Sequence, residues 1–297
     1  MTGLWALIKR NCKLFFKDKG MFLASLIAPF ILLVLYATFL AKIYRDSFTS
    51  AMPDGFTVEE ALINATVGGQ LVSSLMAVCC VTVACFTNLL MVQDRSSGAV
   101  RDLTMAPLKQ STLALSYFVA SALSTLLVCF AALGICLVYL AVTGWYLTFA
   151  DVLLMCLDVV ILVLFGTALS SLINCNLSTG GQASAVGTIV GTSYGFICGA
   201  YMPISNFGAG LQKVLSFFPG TYGTSLFHNH ALNGVYAEMT RIGFPSEVIE
   251  GIKDSIDCNL YFFGTKVSIG AMYVVMIVTV ALLVGGYILL NRFRKKV

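Results

Sequence analysis

The residues that could do chemistry in this chain are few and scattered. Asp158 stands alone inside a long apolar run. An acid in such surroundings is costly, so it marks either a cation or substrate contact or a structural hydrogen bond. His228 and His230 are the two histidines. At i, i+2 on a helix they face different directions, so they do not form a metal site. Cys79, Cys80, Cys85, Cys129, Cys136, Cys156 and Cys198 lie within apolar runs, where cysteine acts as a small apolar residue. Cys258 lies outside them without a partner, and no zinc spacing occurs. There is no G-x-x-x-x-G-K-[ST] loop to cradle phosphates, no Gly-x-Ser-x-Gly and no pair of aspartates within the apolar runs. ATP hydrolysis and intramembrane hydrolysis therefore lack their residues here. The densest internal charge cluster is 93–109, with Asp94, Arg95, Arg101, Asp102 and Lys109 set around Gly98. Val100, Leu103 and Met105 add an apolar ridge, and Pro107 ends any helix there. A short helix with both charge signs and an apolar ridge suits docking into a protein groove. The chemistry this points to is contact, not catalysis.

The elements that hold these residues are long and apolar. Stretches 20–41, 67–92, 111–142, 152–173, 181–202 and 265–290 each reach the length a bilayer demands, about 20 residues. The chain is 58% hydrophobic and 11% charged, which a soluble domain rarely is. These runs predict an all-α polytopic membrane protein with six transmembrane helices and one permease domain over 1–297. Little chain remains between them for a soluble enzyme domain. The start, Met1-Thr2-Gly3-Leu4-Trp5, lacks the basic region and cleavage site of a signal peptide.

Residues 4–17 read as an amphipathic helix. Leu4, Trp5, Leu7, Ile8, Cys12, Leu14, Phe15 and Phe16 form one wide face, and Lys9, Arg10, Lys13 and Lys17 the other. That pattern fits a helix lying in the membrane interface. Basic residues gather on the cytoplasmic side of membrane proteins. Twelve of the 18 Lys and Arg residues precede the first run, lie between the second and third, or follow the sixth. Most of the acids fall on the other side. Both termini are thus expected inside. Loop 43–66 is then external, with a turn at Pro53-Asp54-Gly55 and an acceptor triplet at Asn64-Ala65-Thr66. In the fifth run Gly187, Gly191, Gly195 and Gly199 recur every four residues, a spacing that lets helix backbones approach closely. The stripe serves either packing within the chain or an interface between subunits. Beyond Met202, the breakers Pro203, Gly208, Gly210, Pro219, Gly220 and Gly223 separate apolar stretches too short to span. They predict a re-entrant helical hairpin within an external 203–264 segment.

The order of these parts resembles the permease subunit of ATP-binding-cassette exporters of the type-2 class, in its drug and natural-product branch. Nearly the whole chain takes part. The resemblance rests on the interfacial helix, then Asp94-Arg95, Gly98-Ala99, Leu103 and Pro107 between the second and third runs. It continues with Gly199-Ala200-Tyr201-Met202-Pro203 and Phe217-Phe218-Pro219. The family's common form has Glu-Arg and Gly-Thr, so Asp94 and Ala99 depart from it. The resemblance implies a separate ATPase that binds ATP and Mg, no cofactor on this chain, and a second permease, identical or paralogous. It makes 94–106 a cytoplasmic coupling helix. Asp94, Arg95, Gly98, Arg101, Asp102 and Leu103 would meet the ATPase there, with Lys9 and Lys13 of the first helix. Asp158, Tyr194 and Phe196 would border the translocation path. The expected cargo is a lipophilic or amphipathic compound leaving the cytoplasm or inner leaflet across a bacterial plasma membrane. Export of a lipid-linked polysaccharide and ion-driven secondary transport are the alternatives. Membrane lipid is a partner and nucleic acid is not.

Overall fold

The computed structural model describes residues 2–50, 59–105 and 110–293. The expected turn at Pro53-Asp54-Gly55, Ala106, Pro107 and Lys109, and Arg294, Lys295 and Lys296 lie outside them.

Helix α1 (Thr2–Lys17) opens the fold and ends at Asp18, whose carboxylate caps the next helix by accepting from the Met21 amide at 3.0 Å. The chain then bends by 79°, so α1 lies across the end of the bundle. Helices α2 (Lys19–Ser25) and α3 (Ile27–Leu35) form one broken rod. The break at Leu26 falls just before Pro29, which has no N–H to offer Ser25. A π turn (Tyr36–Leu40) leads into α4 (Ala41–Ser50). The expected 20–41 run is therefore the lower part of a longer helical rod.

The centre of the fold is α5 (Glu60–Thr87), continued after Asn88 by α6 (Leu89–Ser96). The most apolar window of this pair is 89% buried. Helices α8 (Gln110–Thr143), α9 (Phe149–Asn174), α10 (Gly180–Ile197) and α12 (Pro219–Arg241) pack around α5. Between α6 and α8 lies the short α7 (Ala99–Met105). Capping boxes start α9 (Thr148 with Asp151) and α10 (Thr179 with Gln182), satisfying amides at the first turn. Helix α14 (Ile269–Phe293) lies outermost, against α9, α12 and α8, and only 11% of its apolar window is buried.

Four described helices are long and apolar enough to span a bilayer, five if the bent α1–α3 segment makes one span. The remaining expected run, the fifth, is α10. Its glycines, serines and threonines keep it from standing out by hydropathy. Several boundaries differ from the sequence expectation: α4 continues to Ser50 and α5 starts at Glu60, so helix occupies much of the expected 43–66 loop. Helix α10 ends at Ile197, because Gly199 turns with φ +79 and the Tyr201 amide folds back onto the Gly195 carbonyl at 2.8 Å. The last span begins at Ile269, since Thr265–Lys266 is instead strand β2, paired with β1 (Tyr261–Phe262). The 94–106 helix is two pieces, broken at Ser97 and Gly98.

The 203–264 segment contains a 3-10 turn (Ile204–Asn206), α11 (Ala209–Leu215), α12 and α13 (Ser246–Ser255). Pro203 caps the 3-10 turn and Pro219 is the first residue of α12, where its missing N–H costs nothing. Helix α12 runs antiparallel to α9. A Cβ on Gly223 would collide with Leu162, while one on Gly234 would collide with the Tyr146 carbonyl before α9 begins. From the α9 start at Phe149 to Leu162 is about 20 Å at 1.5 Å per residue. The hairpin therefore reaches well into the bundle and returns. One apolar cluster closes that end, with Phe48, Leu62, Leu232, Met239, Ile249 and Ile252. Another closes the opposite, basic end, with Leu7, Leu90, Met91, Leu113, Tyr117 and Tyr287.

Candidate functional site

The basic end is assembled around the break between α6 and α7. Asp94 sits in the last turn of α6 and is buried. Both its oxygens are taken. Arg10 of α1 donates to them at 2.6 and 3.1 Å, and the Tyr117 hydroxyl of α8 donates at 2.6 Å. One carboxylate thus joins three elements through charge-assisted bonds. Its neighbour Arg95 turns to α9 and donates to the carbonyls of Cys175 at 2.9 Å and Leu177 at 2.7 Å. A cation is favoured there, where a helix leaves carbonyls unpaired. Gly98 ends α6 in the left-handed region at φ +82, a conformation that L side chains resist. The chain then rises into α7, with Val100 and Leu103 packed on the basic-end cluster and Arg101, Asp102 and Met105 exposed.

The sequence grouped Asp94 and Arg95 with the outward-facing docking residues. The structure gives both of them internal partners and turns Arg101 and Asp102 outward. Lys9 and Lys13 are exposed on α1. The apolar face of α1 was expected on lipid. Instead Leu7, Ile8, Asn11 and Phe15 are buried, and α1 packs on α8. Trp5 and Phe16 remain exposed on its flank. Arg10 was assigned to the polar face, but it borders the buried arc beside Leu7 and Asn11, which is how it reaches Asp94.

Asn88 holds the α5–α6 joint in place. Its side-chain N–H groups donate to the hydroxyls of Ser170 and Ser171, both at 2.7 Å. The central helix is thereby fixed to α9 at the point where it breaks.

The second polar centre lies inside the bundle. Asp158 of α9 is buried and accepts from His230 of α12 at 2.6 Å and from Tyr273 of α14 at 2.7 Å. The sequence left both histidines at the outer end of the hairpin. The structure buries them in the middle of α12, with His228 3.2 Å from the Ser74 hydroxyl of α5. The sequence signalled only half of this: a lone buried acid needs a donor, but nothing in the chain order points to His230, 72 residues away. Tyr194, expected on the path, is buried and donates to the Gly220 carbonyl at 3.3 Å. Phe196 is exposed and stands edge-on to Tyr201, 5.0 Å between ring centroids.

The glycine stripe divides by position. A Cβ on Gly191 would meet Thr82 of α5 at 3.0 Å, and one on Gly195 would enter the Tyr201 ring. These two serve packing within the chain. Gly187 has open space where its side chain would be, and Gly199 belongs to the turn after α10. Among the described residues no cluster of three or more His, Cys, Asp or Glu could hold a metal ion.

At the far end, Asp257 accepts from the backbone amides of Ile204 and Ser205 and pins the start of the hairpin. Burial pushes its carboxyl up to about 6.

The fold is a bundle of long apolar helices with a short, outward-facing helix clasped at its basic end. Residues 2–230 match the ABC-2 type transporter family, and the chain belongs to it. No curated protein matches the chain. It is a multi-pass membrane protein, the permease component of an ABC transporter, and its partner is an ATP-binding-cassette ATPase.

Proposed function

We propose that this permease exports a neutral lipophilic or amphipathic compound, such as a drug or natural product, driven by a separate ATPase subunit. One observation carries the reading: α7 stands outward at the basic end while the residues at its base are fastened to α1, α8 and α9. A push on α7 is therefore delivered to the bundle and not lost in a loose loop. The Arg10–Asp94–Tyr117 clasp takes it to α1 and α8, Arg95 takes it to α9, and Asn88 ties the same joint to α9. ATP draws two ATPases together. That closure biases the permease only through contacts that differ between its two states, and α7 with Lys9 and Lys13 of α1 supplies them.

The basic end is cytoplasmic in this reading, with both termini inside and six spans that count α2–α4 as one and α10 as another. A second permease, identical or paralogous, completes the path. The exposed face of α10, with Thr188, Ile189, Thr192 and Phe196, carries no charge, which suits an uncharged amphipathic cargo. Ion-driven transport is not favoured, since both Asp158 oxygens are already bonded within the bundle.

The test is charge reversal at the exposed pair. Arg101→Glu combined with Asp102→Lys should leave expression and detergent stability near wild type while ATPase association and export fall together. Unchanged association and export would show that α7 does not dock the ATPase.

A further inference from the structure

At the acidic end, three phenylalanines from two separate elements meet on the outside of the molecule. Phe217, just after α11, lies 5.2 Å from Phe262 and 5.8 Å from Phe263 between ring centroids, and Phe262 and Phe263 are 4.9 Å apart. Despite this mutual packing, Phe217 is 61% and Phe263 62% exposed. Leu211 and Val214 of α11 and Phe218 are exposed as well, and Leu211, Val214 and Phe217 follow one another at a spacing of three. Phe263 sits in the two-residue loop of the β1–β2 hairpin at φ +48, followed by Gly264 at φ +85. That turn ordinarily takes Asn or Asp with Gly, because a bulky side chain disfavours positive φ. The fold places a phenyl ring at the tip against the preference of the backbone.

The height of this patch is fixed by the chain. Only Val267 and Ser268 separate the hairpin from α14, whose flank shows Ile269, Val274, Ile277 and Val278 to the outside. A helix so apolar and so little buried meets lipid along that flank. The hairpin lies within a few residues of the point where α14 enters the bilayer. The patch is also amphipathic. The Tyr261 hydroxyl donates to Asp254 at 3.1 Å and Lys266 donates to Glu250 at 2.7 Å, forming a polar rim beside the phenyl rings. Aromatic rings below a polar rim are the composition of a membrane–water boundary.

We propose that Phe217, Phe262 and Phe263 form a lipid anchor that seats α11 and the β1–β2 hairpin in the leaflet that α14 enters at the acidic end. Its occupant is the headgroup–acyl boundary of that leaflet. Two residues alone join the patch's hairpin to the exposed start of α14, so the patch lies at the depth where that helix meets lipid and a bilayer is its nearest apolar occupant. The anchor would hold the re-entrant α12 at a fixed depth through Phe218 and Pro219. It rests on α14 crossing the membrane and is independent of the identity of the cargo.

The experiment uses the full chain in lipid nanodiscs. Its two tryptophans, Trp5 and Trp145, are replaced by Phe, and one new tryptophan is introduced by Phe263→Trp, Phe217→Trp or, as a control on α14, Val274→Trp. Phosphatidylcholine carrying bromine near the headgroup end of its chains should quench Phe263→Trp and Phe217→Trp at least two-fold, while aqueous acrylamide should quench them weakly. The Val274→Trp control should be quenched by bromolipid in every case. If the control is quenched but Phe263→Trp and Phe217→Trp respond only to acrylamide, the patch stands in water and the anchor is wrong. If they respond to neither quencher, a second copy or another protein covers them, and the anchor is equally wrong. A control that bromolipid fails to quench would overturn the placement of α14 and, with it, the anchor.

Discussion

Removing Arg10 should cost the fold more than removing the charge it serves, and the two losses should not add. Asp94 is 6% exposed and holds three charge-assisted bonds, two from Arg10 and one from Tyr117. Arg10→Met deletes two of the three and leaves a buried carboxylate with the tyrosine alone. For a fully buried pair that loss is about 3–5 kcal/mol. The Arg10 side chain is 32% exposed, so water screens part of the interaction and about 2–3 kcal/mol is the better figure. Asp94→Asn keeps the shape and the tyrosine contact, and should cost about 1–2 kcal/mol. The double variant Arg10→Met with Asp94→Leu leaves no orphaned charge. It should be no worse than Arg10→Met alone, with a coupling of about 2 kcal/mol. The assay is thermal unfolding of the purified permease in nanodiscs, with wild type, Arg10→Met, Asp94→Leu, the double variant and Asp94→Asn compared in one buffer and salt. The order of midpoints should be wild type, Asp94→Asn, then Arg10→Met. Strict additivity of Arg10→Met and Asp94→Leu in the double variant would mean that the clasp contributes no interaction.

Inside the bundle, His230→Phe should destabilise by about 1–3 kcal/mol, because it leaves the buried Asp158 carboxyl with Tyr273 as its one remaining side-chain partner. Asp158→Asn should lose less, and equal melting of His230→Phe and wild type would show that the pair is not formed. On α10, Gly191→Leu must push the helix away from Thr82 and should lower stability by about 1–3 kcal/mol. Gly187→Leu has room and should melt near wild type; the reverse order would mean that α10 is rotated. The Asp257 carboxyl, raised to about 6 by burial, titrates above its unfolded value near 4. Its contribution to stability is therefore full below about pH 4 and lost as pH rises through about 6, some 3 kcal/mol at most. The melting midpoint of wild type should fall between about pH 5 and about pH 7.5. Asp257→Asn should flatten that part of the profile, and an unchanged slope would remove Asp257 as its source.

The spans were legible because apolar length is written locally. Helices α8 and α9 begin and end within three residues of the runs at 111–142 and 152–173. The end of α10 was not legible, since Gly199 and Tyr201 look as apolar as the span they terminate. Partners in space were the least legible part. Asp94 and Arg95 are charged and lie in a short connecting segment, so the sequence points them outward. Their partners, Arg10, Tyr117 and the last carbonyls of α9, come from elements far away in the chain. The same holds for Asp158. Its burial could be read from its neighbours, but the contact with His230 depends on α12 folding back against α9, which only the re-entrant path brings about. The glycine stripe was visible as a pattern, yet which glycine meets α5 depends on the rotation of α10. Gly191 meets Thr82, and Gly187 does not.

The central claim is that this chain is a conduit worked by ATP hydrolysed elsewhere, through α7. Its most direct measurement is ATP-dependent uptake of a neutral amphipathic dye into inside-out proteoliposomes. Three samples are compared: the permease with the ATP-binding-cassette ATPase that co-purifies with it, the permease alone, and the pair carrying the Arg101→Glu and Asp102→Lys reversal. The account predicts ATP-dependent accumulation with the complete pair, none with the permease alone, and a loss of most of it with the reversal. Accumulation by the permease alone under an ion gradient, with no response to ATP or to the reversal, would contradict it.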